Sequence, residues 1–291
     1  MLVKTNSKVF RKPAWLNKKI SLSACHKMDK LISKTGLHTV CHEAKCPNIS
    51  ECFAKGIATF LILGDVCTRS CRFCAIKKGI PDNVDMNEAG KIRDAVKLLE
   101  LKHVVLTSVT RDDLKDGGAF LFVECIREIK KSHPETFIEV LVPDFKGNML
   151  SVENIIKEKP DIFAHNLETV PRIYGQARKE ASYKLSLNIL KTSKDLSRSI
   201  YTKSGIMLGL GEKEEEVLSL FDDLIGVGCD FISIGQYLAP GNNHIEVKEY
   251  IKPDKFKYYE RKAKYLGFKH VESGSYVRSS YMASSYLENK A

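Results

Sequence analysis

Cys67, Cys71 and Cys74 are spaced C-x3-C-x2-C inside the eight residues CTRSCRFC. Three thiolates this close together are soft ligands, suited to zinc or to an iron–sulfur cluster. A structural zinc site takes four ligands, usually as two pairs of Cys or His, and no second pair stands at zinc-finger distance from this loop. A [4Fe–4S] cluster held by three cysteines keeps one iron without a protein ligand, so something other than protein must bind there. A second trio, Cys41, Cys46 and Cys52, is spaced C-x4-C-x5-C in CHEAKCPNISEC. Three thiolates again leave a cluster one ligand short, with a zinc site completed by His42 or His26 as the alternative.

Cysteine usage also bounds the compartment. Of nine cysteines, six lie between Cys41 and Cys74. An odd number, this clustering and no visible export signal argue against a secreted disulfide scaffold and for a reducing compartment. Cys125 on a helix's apolar face and Cys229 at a helix–strand junction read as core residues, and Cys25 is assigned no role. The first acid is Asp29, which gives the N-terminus the charge of a transit peptide. Its cations are mostly Lys, however, and Pro13 with Trp15 read as docking residues, so the cytoplasm is expected rather than an organelle matrix. No apolar run reaches the length of a membrane span, and no membrane partner is expected. The net charge of +10 comes from scattered, mostly Lys residues. It lacks the Arg clusters and interleaved aromatics of a nucleic-acid groove, and such a diffuse field favours an acidic partner instead.

The elements that must position the cysteines repeat as strand and helix. Apolar runs at 58–64, 103–109, 137–143, 161–167, 203–209 and 230–236 are each rich enough to be buried on both faces, as parallel strands require. Helical spacing fills the gaps: Ile92, Ala95, Val96 and Leu99; Phe122, Val123, Ile126 and Ile129; Tyr183, Leu187 and Leu190; Val217, Leu220, Phe221 and Leu224; Phe256, Tyr259, Ala263 and Leu266. Six such units imply an α/β fold, a partial (β/α)6 TIM-like barrel with right-handed crossovers. The chemistry of such sheets lies at the C-terminal strand ends, and the first cysteine loop follows the first strand. Residues 1–57 read as an N-terminal extension packed over the barrel mouth, with one helix in 22–39 and the rest loop carrying the second cysteine trio; 58–270 is the barrel and 271–291 a short C-terminal segment.

C-x3-C-x2-C after the first strand of a partial barrel resembles the radical S-adenosylmethionine superfamily. Phe73 before the third cysteine, and GIMLGLGE (205–212), a glycine-rich strand end, match it too. With CHEAKCPNISECF ahead of that loop, the likeness narrows to the lipoyl synthase family. It extends over nearly the whole chain through KPAWL (12–16), TSVTRDDLKDGGA (107–119), HNLETV (165–170), GQYLAP (235–240) and RSSYMA (278–283). The resemblance implies two [4Fe–4S] clusters and S-adenosylmethionine, whose one-electron cleavage yields a 5′-deoxyadenosyl radical. That radical removes hydrogen from C6 and C8 of an octanoyl chain on a carrier lysine, and two sulfurs, thought to come from the second cluster, replace it. The chemistry suits the substrate, because an unactivated C–H bond offers acid–base or nucleophilic catalysis nothing to act on. Implied partners are octanoylated lipoyl carrier domains (2-oxoacid dehydrogenase acyltransferase subunits and the glycine cleavage H protein), an electron donor such as flavodoxin or ferredoxin, and an iron–sulfur carrier for cluster repair.

The resemblance also implies residue roles. A serine of RSSY, Ser280 with Ser279 as second choice, completes the second cluster; the plain alternative is a pair of turn-capping serines. Thr107, Ser108, Asp112, Asn166, Glu168, Arg178, Gly209 and Gln236, with Phe73, are candidate contacts for S-adenosylmethionine, each otherwise a structural hydrogen-bonding or packing residue. Lys179 stands where the family pattern has Pro, which puts the local loop shape in question. Two other classes compete: a sulfur-inserting enzyme of the biotin synthase or methylthiotransferase type, disfavoured by the second trio's position and by RSSY, and a non-catalytic zinc or iron–sulfur protein.

Overall fold

The computed structural model of the chain describes residues 12–17, 35–44 and 46–281; Cys25, His26 and most of the segment 22–39, where a helix is expected, lie outside these residues. Among the described residues ten strands form: β1 (His38–Thr39), β2 (Ile57–Ile62), β3 (Val66–Cys67), β4 (Lys77–Lys78), β5 (His103–Ser108), β6 (Phe137–Leu141), β7 (Ile162–Ala164), β8 (Tyr201–Leu208), β9 (Phe231–Gln236) and β10 (His270–Gly274). Eight make one sheet in the order β1-β2-β5-β6-β7-β8-β9-β10, and β3 with β4 makes a small second sheet. From β2 to β10 every pairing is parallel, while β1 lies antiparallel on β2.

The six strands expected from the apolar runs are present, because each can bury both faces. In β5, Val104 and Leu106 pack outward under the helices while Val105 turns inward beside Ile57 and Cys52. The helical faces hold as well: Phe122, Val123, Ile126 and Ile129 are all buried, as are Val217, Leu220, Phe221 and Leu224. Cys125 and Cys229 are core residues, as expected.

Where loop is expected around the second cysteine trio, the short helices Val40–Glu43 and Ile49–Ala54 carry Cys41 and Cys52; besides these and the two-residue strands β1, β3 and β4, three elements were not legible beforehand. The helix Met149–Lys157 buries Val152, Ile155 and Ile156, and Pro171–Ala177 begins with Pro at its first turn; both are too short to give a sustained period. The third is a seventh parallel strand. The expected sheet ended near Gln236 and the barrel at residue 270, but β10 continues it, with His270 opposite Phe231 and Gly274 opposite Gly235. This is an edge strand in which only Val271 is buried, so it carries no apolar run.

The two edges, β1 and β10, do not pair, and the C-terminal residues cross between them. Ser280 meets Thr59 of β2, and Tyr281 packs by Cys52, Ile57 and Val105. Gly235 makes room for this crossing: a Cβ there would lie 2.2 Å from the Val277 carbonyl. Deeper inside, the strands carry charge. Lys203 Nζ donates to both Glu139 oxygens at 3.1 and 3.0 Å, with His103 Nε2 3.9 Å away. All three are buried, and burial pushes Glu139 up, Lys203 down and His103 down to about 3. Among the described residues no helix is long and apolar enough to cross a membrane.

Candidate metal centres

The first cysteine loop leaves β2 through a sharp turn, with Leu63 and Gly64 both at positive φ. The Leu63 N–H is held by the buried Glu88 carboxylate at 3.0 Å. Gly118 has no side chain because a Cβ would sit 2.2 Å from Leu63 Cδ1. Backbone N–H groups of Arg69 and Thr110 point at Cys67 Sγ, 3.4 and 3.3 Å away, which fixes where that sulfur stands. The Arg69 side chain turns under the loop. It donates to Asp112 at 2.7 and 3.0 Å and to Asp144 at 2.7 and 2.6 Å, tying the loop to the ends of β5 and β6. From the other side, Arg72 N–H donates to the Ala177 carbonyl and His244 Nε2 lies 3.1 Å from the Cys74 carbonyl. Cys67, Cys71 and Cys74 are each partly exposed and within electrostatic reach of one another; burial raises Cys71, and raises Cys74 to about 11.

The candidate S-adenosylmethionine contacts divide into two groups. Asn166, Glu168 and Arg178 gather beside Cys71. Arg178 donates to the Asn166 carbonyl at 2.8 Å and the Tyr174 hydroxyl at 2.9 Å, and Asn166 Nδ2 donates to Glu168 at 3.1 Å. Glu168 holds a left-handed backbone, φ 70°, and burial raises its carboxyl. Arg178 Nε and, at the end of β5, Ser108 Oγ are buried with no hydrogen-bond partner among the described residues. Unmatched buried donors cost free energy unless a ligand meets them, so these two atoms fit a polar ligand above the strand ends.

The second group is committed to the chain. Both Asp112 oxygens accept from Arg69, and Thr107 donates to the Leu141 carbonyl at 2.8 Å. Gln236 Nε2 donates to the carbonyls of Leu208, Tyr237 and Glu249, and its Oε1 accepts from Ile251 N–H. Gly209, at φ 103°, leaves room for that amide, since a Cβ would lie 2.4 Å from Gln236 Nε2; its N–H donates to Glu212 at 2.9 Å. Phe73 packs against the core under the last helices. Lys179 sits exposed in a turn closed by Ala181 N–H to the Arg178 carbonyl at 2.9 Å, so the turn forms without the proline.

The second trio starts on a short helix capped by Thr39. Cys41 and Cys52 are buried and Cys46 partly so; burial, then Cys46 and Cys52, push Cys41 well above the usual thiol range, while the Thr59 backbone opposes. The C-terminal segment docks onto this loop. Asn48 donates to the Tyr276 carbonyl at 2.6 Å, Tyr281 donates to Glu51 at 3.0 Å, and the Tyr276 hydroxyl donates to the Leu16 carbonyl. Thr59 Oγ1 donates to Ser280 Oγ at 2.9 Å, whereas Ser279 Oγ donates to Asn166 Oδ1 at 2.9 Å. Arg278 stands within electrostatic reach of Cys46. Sequence reasoning missed Arg69, Asp144, Asn48, Glu51 and Thr59. The available signal was position: Arg69, Asn48 and Glu51 lie inside the cysteine loops, and Thr59 lies two residues into the first parallel strand.

Residues 61–224 match the family model of the Radical SAM superfamily. The chain is 53% identical over 94% of its length to the lipoyl synthase of Caldicellulosiruptor saccharolyticus, 96% of which is covered. It is 52% identical over 96% of its length to the lipoyl synthase of Geotalea uraniireducens, 98% of which is covered. This chain belongs to the lipoyl synthase family. Among solved structures, methylornithine synthase shares the fold, with a TM-score of 0.57 at 16% identity over 74% of this chain and 63% of that one. A maturase of the [FeFe]-hydrogenase does likewise, with a TM-score of 0.56 at 14% identity over 74% of this chain and 56% of that one.

A lipoyl synthase works with S-adenosylmethionine and two [4Fe–4S] clusters, and the sulfur spacing suits clusters better than single ions. Three thiolates on one zinc, each about 2.3 Å from it, must lie within about 4.6 Å of one another. Neither cysteine trio draws its sulfurs within 4.8 Å; among the described residues the group that tight is His38, Glu43 and Asp65, where Lys77 already pairs with Asp65. An iron–sulfur cube distributes its cysteines over separate irons and so spreads them more widely.

Proposed function

We propose that this lipoyl synthase family member inserts two sulfur atoms at C6 and C8 of a protein-bound octanoyl-lysine, with Cys67, Cys71 and Cys74 holding the radical cluster and Cys41, Cys46 and Cys52 the auxiliary one. The bound cofactors supply one-electron cleavage of the sulfonium and the sulfur itself. The chain's residues bind, orient and shield. Cys67 is positioned as a ligand by two backbone N–H groups, and Arg69 holds its loop rigid. Glu168 is suited to the cofactor's ammonium group, and Arg178 with Ser108 to its oxygens. The C-terminal crossing covers the open side of the barrel and keeps water from a reactive radical.

The single observation that carries the assignment of the auxiliary site is the hydrogen bond from Thr59 to Ser280, on a residue whose backbone also meets the Cys41 sulfur. It supports Ser280, rather than Ser279, as the fourth ligand. A hydroxyl-derived oxygen is harder than a thiolate and matches iron in a sulfide cluster less well, which suits a ligand that must let go when sulfur leaves.

The carriers fit the family reaction: octanoylated acyltransferase domains of 2-oxoacid dehydrogenases and the glycine cleavage H protein, met by a field of net charge +10. Flavodoxin or ferredoxin supplies electrons, and an iron–sulfur carrier restores the auxiliary cluster. The clustering of six cysteines within residues 41–74 suits a reducing compartment such as the cytoplasm. Anaerobic turnover with reductant, S-adenosylmethionine and an octanoyl-lysyl peptide tests the reading by mass spectrometry. The expected products are 5′-deoxyadenosine and a peptide carrying two sulfurs. Cofactor cleavage with no sulfur gained points instead to another radical enzyme.

A further inference from the structure

The two serines of the RSSY turn are neighbours on the chain yet bonded to different sites. Ser280 accepts from Thr59 on the auxiliary side. Ser279 donates to Asn166 on the S-adenosylmethionine side. Asn166 cannot drift: its amide nitrogen is held by Glu168 and its carbonyl by Arg178. Gly205 lies directly against it, since a Cβ there would come 2.9 Å from Asn166 Oδ1. The turn is also held by Tyr281 N–H to the Arg278 carbonyl at 2.9 Å, by the Tyr281 hydroxyl to Glu51 at 3.0 Å and by Arg278 Nη1 to the Gln236 carbonyl at 3.2 Å; these bonds flank residues 279 and 280 and engage neither serine's side chain.

We propose that Ser279 is a positioning residue: by anchoring the turn to Asn166 it sets how firmly Ser280 holds the auxiliary iron, so that a residue of the S-adenosylmethionine site controls a ligand of the other cluster. The proposal rests on Ser280 being that ligand. One peptide unit separates the two side chains, so release of Ser279 lets residue 280 rotate away from Thr59. Loss of one such hydrogen bond weakens the grip by the net value of a single bond, which corresponds to about a three- to tenfold change in a release equilibrium or rate.

The test uses the full chain with Cys67, Cys71 and Cys74 changed to Ala and the auxiliary cluster reconstituted with 57Fe, so that one cluster is observed. The readouts are the rate at which a ferrous chelator removes the first iron and the Mössbauer signature of the site-differentiated iron. Ser279→Ala and Asn166→Ala each release that iron about three- to tenfold faster than the parent and perturb its signature, and Ser279→Thr restores both. Asn166→Ala is the informative variant, because it acts from the other site in a protein with no radical cluster. Faster release in Ser280→Ala with parental rates in both Ser279→Ala and Asn166→Ala overturns the proposal. A parental rate and signature in Ser280→Ala overturns the ligand assignment beneath it.

Discussion

Arg69 and Asp144 form a buried, two-pronged ion pair, Nη1 to Oδ2 at 2.7 Å and Nη2 to Oδ1 at 2.6 Å, directly beneath the first cysteine loop. Asp112 takes the remaining face of the guanidinium. One arginine thus fixes the height and tilt of a loop whose three sulfurs must meet one cluster. Removing it leaves Asp144 as a buried charge without its cation, a loss worth about 3–5 kcal/mol. Arg69→Met is therefore expected to lower the melting temperature sharply, and Arg69→Lys to recover only part, because an ammonium cannot serve both carboxylates in the same plane. Thermal melts of the three proteins check this.

The same pair sets an acid limit. Burial opposes the Asp144 charge, but the hydrogen bonds and charge of Arg69 outweigh it and hold the carboxyl below the usual range. A depressed folded-state value means the stabilisation is whole above the unfolded carboxylate pKa, about 3.9. It is lost as pH falls from there through the lower folded value. Urea melts of the cluster-free chain between pH 6 and pH 3 should lose stability below about pH 4, and Asp144→Asn, already weaker at pH 6, should lose less over that interval. Equal slopes would remove Asp144 from the account.

Inside the barrel, Lys203 and Glu139 make a fully buried pair. Lys203→Met alone strands the carboxylate and is expected to cost about 3–5 kcal/mol, whereas Lys203→Met with Glu139→Gln recovers most of it. A double-mutant cycle by urea denaturation reads the coupling; additive single effects would mean that the two charges do not depend on each other.

The two cysteine trios should fail in different ways. Cys71→Ala abolishes cleavage of S-adenosylmethionine. Cys41→Ala keeps cleavage, transfers no sulfur and falls from about eight irons to about four per chain, as two [4Fe–4S] clusters require. Iron analysis, 5′-deoxyadenosine quantification and product mass measure all three. Parallel loss of both activities in Cys41→Ala would end the division of labour.

Ser280→Cys should hold the auxiliary cluster more tightly, since thiolate is the softer ligand. Cofactor cleavage is expected to persist while the two-sulfur product falls by roughly tenfold or more, the scale on which ligand changes act at metal sites. Unchanged product yield would show that release of this ligand does not limit sulfur transfer.

Much of the site is local and so could be read along the chain. The cysteine spacings are short, and a loop of eight residues keeps its sulfurs together whatever fold surrounds it. The six interior strands were legible because burial on both faces demands largely apolar runs, even where a buried pair such as Lys203 and Glu139 interrupts them. Strand β10 was not, because an edge strand needs only one buried residue, Val271, and takes its pairing from β9. Asp112 and Gln236 looked like ligand contacts because they are polar and stand at or just after strand ends. Their actual partners, Arg69 forty-three residues away and the Ile251 backbone fifteen away, are set by packing.

The sequence by itself determined the chemistry, because ligand type and spacing are covalent facts of the chain. Tertiary structure alone decided which serine faces which site. Ser279 and Ser280 are chemically identical, and nothing in the letters RSSY separates them. Only the crossing of residues 275–281 from β10 to β2 turns one hydroxyl to Asn166 and the other to Thr59, because the two serines are the central pair of a turn closed by Tyr281 N–H to the Arg278 carbonyl and their side chains leave it in different directions.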